Sequence, residues 1–296
     1  MEKVFVILGP TGTGKTKISL EFAEKLNGEI INIDSAQFYK NFKIGTGVIK
    51  DEEMKNIKHH FFAFFDIDFE LSAFSYVKII EEKIKKILKE KKTPILVGGS
   101  HFYINSLFFK EKKAEENIKF DFKFSDIKNE DNEFLYKKLY QFCPKRAEFI
   151  NKNDRFRILN SLKKIEELGY FPEIIFSPAF IYEIIETKIE DKEIYVKNLE
   201  KRIEIFFSEG WINEIKSLNE DEINFLKRKK FIGYDLIIKE IENGNIINLE
   251  KKELKEKILS KTLYYAKKQC QFIKKLKNEL IKKNVFWREY GKENSF

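Results

Sequence analysis

The residues best equipped for chemistry stand at the start of the chain. Gly9-Pro10-Thr11-Gly12-Thr13-Gly14-Lys15-Thr16 has the composition and spacing of a phosphate-binding loop, or P-loop. Gly12 and Gly14 let the backbone curl until its N–H groups and the next helix N-terminus converge on an anion. Lys15 adds a point charge, and the Thr16 hydroxyl is placed to ligate a phosphate-bound Mg2+. A glycine-rich turn that binds nothing is the plain alternative, and the flanking sequence weighs against it. An apolar strand at 4–8 leads into the loop, and helical spacing over 15–26 puts Ile18, Phe22 and Leu26 on one face. The loop is therefore expected to grip a di- or triphosphate.

The elements that must position this loop follow from periodicity. A second strand at 29–33 ends at Asp34-Ser35-Ala36-Gln37, and a third at 94–97 ends at Gly98-Gly99-Ser100. Helical spacing over 74–89 separates them. Alternation of strand and helix predicts an α/β fold with a parallel sheet and ligands at the strands' carboxyl ends. The loop, Asp34 and Ser100 all fall at such ends, so one crevice should hold them. From about residue 111 the rhythm is lost. Segments 132–140, 144–150 and 154–168 read as short helices, the last closed by Gly169, and 180–187 reads as a returning core strand. The expected organisation is a catalytic core of 1–110 and 177–296, with a helical insertion at 111–176. Helices at 197–207, continuing to 218, and at 254–283 complete the core.

Composition excludes several classes. With 296 residues and 43% hydrophobic content the chain can bury a core, and it has no apolar run near 18 residues. Its start lacks a signal-peptide layout. Cys143 and Cys270 form no CxxC and have no matching histidine pair, which argues against a zinc module and a disulfide framework. A cytoplasmic protein without a membrane partner is expected, monomeric by default. The net charge of +8 is concentrated: residues 251–283 hold 12 lysines against three glutamates, and the remainder is near neutral. Such a segment is a polyanion contact or a solvated lysine face, and charge alone does not choose.

A P-loop by itself fits a kinase or NTPase. Against a kinase, strand 94–97 runs into Gly98-Gly99-Ser100 with no acid to position magnesium, and no arginine-rich lid follows. Alternatively the bound diphosphate is a leaving group, whose growing charge Lys15, the loop amides and Mg2+ would neutralise.

Beyond this point the chain resembles the tRNA dimethylallyltransferases, or isopentenyltransferases, over nearly its full length. The family's GPTxSGKT appears at 9–16. DSxQxYxxxxIGT is complete in Asp34, Ser35, Gln37, Tyr39, Ile44, Gly45 and Thr46, and the paired histidines are His59-His60. PxLVGGTxxY appears at 94–103 with Ser100 in place of the Thr and its hydroxyl kept, NDxxR at 153–157, and the arginine-bearing helix matches Leu199-Glu200-Lys201-Arg202. IGY is Ile232-Gly233-Tyr234, and YAKRQ is Tyr265-Ala266-Lys267-Lys268-Gln269. The resemblance implies a P-loop NTPase-like core with an inserted helical domain contacting the anticodon stem-loop. It also implies transfer of a dimethylallyl group from dimethylallyl diphosphate to N6 of the adenosine 3′ of the anticodon (position 37) in tRNA.

In that reading Asp34 is the candidate general base, or else merely a helix N-cap. Thr11 would orient the donor or Asp34, and Ser100 would touch the same region, unless each is only a turn hydroxyl. Arg202 matches the diphosphate-binding arginine; the bland alternative is a surface i,i+4 pair. An extruded adenine would be read by Gln37, unless Gln37 only faces solvent. Ser35, Ala36, Phe156, Arg157, Tyr234, Lys267, Lys268 and Gln269 are the further tRNA candidates. Relative to the family pattern, a second arginine after Arg157 becomes Asn160, Gly-Leu becomes His101-Phe102, and HHLxD loses its acid at Ala63. The basic residue after IGY becomes Asp235, and an expected Trp becomes Phe272. His59 and His60 are expected to be mainly structural. An adenylate (AMP, ADP or ATP) isopentenyltransferase is the nearest alternative, disfavoured by the basic segment and the insertion. A small-molecule kinase is the remoter one, and the absence of DDxxD argues against a terpenoid synthase.

Overall fold

The computed structural model describes residues 3–69, 72–114, 117–244 and 252–291. Lys251, the first lysine of the basic run, lies outside them. The chain divides into two compact units, Met1–Phe108 with Pro178–Phe296, and Phe109–Ser177.

The first unit opens with β1 (Lys3–Leu8), α1 (Lys15–Leu26), β2 (Gly28–Asn32), β3 (His59–His60), α2 (Ala73–Lys89), β4 (Thr93–Gly98) and α3 (His101–Phe108). The second consists of β5 (Phe109–Lys112), α4 (Phe124–Ile127), α5 (Asn132–Phe142), α6 (Pro144–Glu148), α7 (Arg155–Leu168) and β6 (Glu173–Phe176). The first then resumes with β7 (Ile181–Glu186), α8 (Lys192–Ser208), α9 (Trp211–Lys216), α10 (Glu220–Lys229), α11 (Tyr234–Glu242), α12 (Lys252–Ile281) and β8 (Phe286–Glu289).

The predicted parallel sheet is present. Six strands run in the order β3-β2-β4-β1-β7-β8, and every pairing is parallel. Its central strands are apolar on both faces, as burial on both sides requires: Val4, Val6, Ile7, Leu8, Ile30, Ile31, Ile95 and Leu96 are fully buried. Register sets the site. Leu8 pairs with Gly98 and with Glu186, and Asn32 pairs with Val97. Gly9, Asp34, Ser100 and Thr187 therefore leave the sheet at one level along its carboxyl edge.

Three features differ from what sequence periodicity predicts. Helix α8 starts at Lys192, because Asp191 caps it by accepting the Glu193 and Ile194 N–H groups. It does not continue to 218: Gly210, at φ 94°, breaks the run and α9 starts afresh. Strand β8 was not expected; it adds to the edge beside β7. In the second unit, β5 and β6 pair antiparallel. Leu135, Leu139, Ile158, Leu162 and Ile165 give its helices a core of their own.

Candidate active site

The P-loop follows β1 and caps α1. Gly12 and Gly14 take φ of 78° and 79°, the left-handed turn that glycine permits. Gly9 is required by packing, since a Cβ there would lie 2.0 Å from Thr187 Oγ1. Thr13 Oγ1 donates to Pro10 O at 2.8 Å and meets Thr187 Oγ1 at 2.5 Å, tying the loop to the end of β7. Lys15 Nζ donates to Gly9 O at 3.0 Å and Pro10 O at 2.7 Å. Burial pushes the Lys15 ammonium down to about 8, against the pull of Asp34 and with the push of Arg202. A buried cation of this kind gains from an arriving anion. Thr16, at the first turn of α1, is exposed.

Asp34 takes the capping role considered for it and also lines the cleft. Its Oδ1 accepts from Ala36 N at 3.2 Å, a cap on the turn at Ser35–Gln37, and from Ser100 Oγ at 3.2 Å. Among the described residues Oδ2 accepts no hydrogen bond. Ser100 Oγ also accepts from Ser35 N at 2.9 Å, so the ends of β2 and β4 are laced together. Across the cleft, Arg202 Nη1 donates to Thr11 Oγ1 at 3.3 Å and the guanidinium lies 5.0 Å from the Phe206 ring centroid. Burial lowers its pKa, with Asp34 and Tyr195 acting in the opposite sense. Arg202 thus faces the centre and not the surface.

Two cavities meet here. One of about 790 Å³ is lined by Gly12, Gly14, Lys15 and Thr16. The other, about 380 Å³, is lined by Ser35, Ala36, Ser100, His101, Phe102 and Tyr265. Thr11, Asp34 and Arg202 line both. The first has the glycine-rich loop and Lys15 in its wall, groups suited to an anion. The second is walled mainly by aromatic and aliphatic groups, as a planar ring requires.

Three residues expected to read RNA are committed elsewhere. Gln37 Nε2 donates to Thr46 O at 3.0 Å and Gly47 O at 2.8 Å, so its amide braces a loop and bidentate reading of adenine is spent. Tyr234 is fully buried and donates to Glu214 Oε1 at 2.6 Å. Gln269 is fully buried too, with both amide ends bonded inside the core. Their motif neighbours explain this. A Cβ on Gly45 would lie 2.0 Å from Trp211 Nε1, and one on Gly233 2.1 Å from Trp211 Cη2. The IGT and IGY glycines make room for one tryptophan.

Phe156, Arg157, Lys267 and Lys268 are exposed, while Ser35 and Ala36 are half-buried. Phe156 is 75% exposed, Arg157 pairs locally with Asp154 at 2.9 Å, and Lys267 and Lys268 face solvent. Arg155 is used internally, donating to Lys128 O, Glu130 O and Asn132 Oδ1. His60 Nε2 bonds Glu29 Oε2 at 2.7 Å and His59 Nδ1 bonds Ile57 O at 2.8 Å, both at the sheet edge. Sequence reading missed Thr187, Tyr195, whose hydroxyl donates to Thr11 O at 2.8 Å, and Trp211. Only Thr187, at a strand end like the others, carried a usable signal.

The IPP transferase family model matches residues 37–276, well over half of the chain. The chain belongs to the IPP transferase family. A tRNA dimethylallyltransferase of Staphylococcus epidermidis is 31% identical over 294 residues, covering 96% of this chain and 86% of the relative. Among solved structures, a eukaryotic dimethylallyltransferase described as acting on tRNA superposes with a TM-score of 0.81 at 28% identity, covering 98% of this chain and 74% of that one. A tRNA delta(2)-isopentenylpyrophosphate transferase from Staphylococcus epidermidis gives 0.61 at 26% identity, covering 99% and 95%. Two departures from the family pattern touch each other: the His101 and Phe272 ring centroids are 4.4 Å apart. An added ring on α3 thus packs on the smaller ring of α12.

Proposed function

We propose that the protein transfers a dimethylallyl group from dimethylallyl diphosphate to N6 of the adenosine 3′ of the anticodon, position 37, in tRNA and releases diphosphate. The observation that carries this reading is the junction of a phosphate cradle and an aromatic-walled cavity at Thr11, Asp34 and Arg202. Family membership supports the reaction class.

The donor diphosphate would lie on the P-loop amides with Lys15, and Arg202 would approach from α8. As the bond between the prenyl carbon and the bridging oxygen breaks, its electron pair leaves with the diphosphate, where these cations and dipoles oppose the growing charge. N6 forms the new bond to that carbon and loses a proton to Asp34, which Ser100 orients through Oδ1. Thr11, held by Arg202, lies at the junction of the two cavities. For Mg2+ the chain offers the Thr16 hydroxyl, and among the described residues no group of three His, Cys, Asp or Glu could hold a metal ion. That fits a cation carried on the diphosphate, whose charge it would neutralise when bound.

The extruded adenosine would enter the second cavity past Ser35 and Ala36. Phe156 offers a stacking face, and Arg157, Lys267 and Lys268 offer charge to an anticodon stem-loop. A tRNA acceptor fits a cytoplasmic protein, and one chain supplies every side chain named at the centre, which fits a monomer. No described helix is long and apolar enough to cross a membrane.

The deciding assay presents labelled dimethylallyl diphosphate and Mg2+ with either an anticodon stem-loop or free AMP. Label should pass to the stem-loop. Equal labelling of AMP would favour an adenylate isopentenyltransferase, and ATP consumption without a prenyl product would favour a kinase.

A further inference from the structure

Gln269 lies at the centre of an arrangement that neither phosphate binding nor RNA contact requires. It sits on α12 with no solvent exposure. Oε1 accepts the Thr11 N–H at 2.8 Å and Nε2 donates to Gly99 O at 3.0 Å. A Cβ on Gly99 would lie 2.4 Å from Nε2, so glycine there gives the amide its place. The partners dictate its orientation, because the Thr11 N–H needs an acceptor and the Gly99 carbonyl needs a donor. Each end of one rigid amide thus holds a different wall of the centre.

Those walls carry the groups that flank Asp34. Thr11 supplies the hydroxyl bonded by Arg202, and Ser100, next after Gly99, supplies the one bonded to Asp34 Oδ1. The loops belong to β1 and β4, whose paired register ends at Leu8 and Gly98. Beyond that point, among the described residues, no sheet hydrogen bond fixes their separation. Gln269 takes over there. On the same helix, Lys267 and Lys268 point outward.

We propose that Gln269 is a positioning residue for prenyl transfer. By bonding the Thr11 N–H and the Gly99 carbonyl together, it holds the P-loop and the β4 end at the separation that lets Thr11, Asp34 and Ser100 act as one centre. The assignment rests on the prenyl-transfer reading of that centre, and it removes Gln269 from the RNA-contacting set.

Two variants of the full chain test it. Gln269→Met keeps the length of the side chain and loses both bonds, and Gly99→Ala crowds Nε2 out of its seat. Stem-loop affinity, donor KM and kcat at saturating substrates are measured for each. In both, kcat should fall about 10- to 100-fold, the order expected for misplaced reacting groups, with stem-loop affinity unchanged. A loss of RNA affinity with kcat intact would overturn the proposal, as would unchanged kinetics. Should the variants fail to fold, amide exchange in the parent decides: a Thr11 N–H that exchanges as fast as an exposed amide overturns the clamp, and slow exchange without donor supports it. A parent that prenylates AMP in place of the stem-loop would instead refute the tRNA reading, and the Gln269 effect would then be read from kcat with AMP.

Discussion

At the scale of single residues, the two oxygens of the Asp34 carboxylate are differently engaged. Oδ1 caps a turn and accepts from Ser100, leaving Oδ2 without a hydrogen bond among the described residues. Asp34→Ala should keep donor binding and reduce kcat by about 10²-fold or more, checked by separating KM from kcat. A change confined to KM would contradict the base assignment. Lys15 differs in kind. Its ammonium is buried against loop carbonyls, and that burial holds its pKa near 8. Lys15→Met should weaken donor binding and leave stem-loop affinity intact, as calorimetry with a non-reactive diphosphate would show; equal donor affinity would sink the role.

At the scale of elements, glycines and one buried acid do work that motif spacing conceals. Trp211 at the start of α9 is packed between Gly45 and Gly233, and Tyr234 at the start of α11 bonds Glu214 of α9. Glu214 also accepts from the Lys43 and Ile44 N–H groups, so α9 anchors a loop lining the P-loop cavity. Tyr234→Phe should cost about 1.5–3 kcal/mol of stability, the range for a hydrogen bond to a charged group. RNA affinity at full folding should not change, and a selective loss of RNA binding would restore Tyr234 to the interface. Glu29 on β2 is 3% exposed and joins His60 of β3 to Lys92 ahead of β4, at 2.7 and 2.6 Å. Its burial opposes ionisation, but the Lys92 and His60 bonds prevail and hold its pKa below the ordinary 4.5. That stabilisation is present above about pH 4.5 and is lost as pH falls through the folded pKa. Burial also lowers the His60 pKa from its ordinary 6.5, so the unfolded chain takes up that proton first and stability already declines below about 6.5. Below about pH 4.5 the melting temperature should fall less steeply in Glu29→Gln than in the parent; parallel curves there would refute the Glu29 contribution.

At the scale of the whole molecule, cation placement matters more than the net charge of +8. Many lysines are already paired: Lys255 with Glu204, Lys261 with Asp235 and Lys277 with Glu289. Lys267 and Lys268 on α12 remain exposed, and Lys268 lies 5.3 Å from the Tyr264 ring centroid. Stem-loop affinity should fall with salt by roughly 0.7 log units per log unit of salt for each phosphate contact. Lys267→Ala with Lys268→Ala should reduce that slope by about one to two contacts. An unchanged slope would make this face ordinary solvated surface.

Much of this was legible in the linear chain. Alternating apolar strands and helices determined the parallel sheet, and the P-loop, Asp34 and Ser100 were assigned to its carboxyl edge because period and turn chemistry are local properties. The motifs likewise determined the family. Residue roles divided according to how local they were. Asp34, Ser100 and Thr11 stand at strand ends, so spacing alone could place them together. Gln37, Tyr234 and Gln269 have polar side chains in shared motifs, which reads as recognition until burial is known, and burial is decided by segments far away in sequence. Gln269 meets Thr11 across 258 residues and Gly99 across 170. No local pattern encodes such a contact. Only packing α12 against the sheet edge turned an expected RNA contact into an internal clamp.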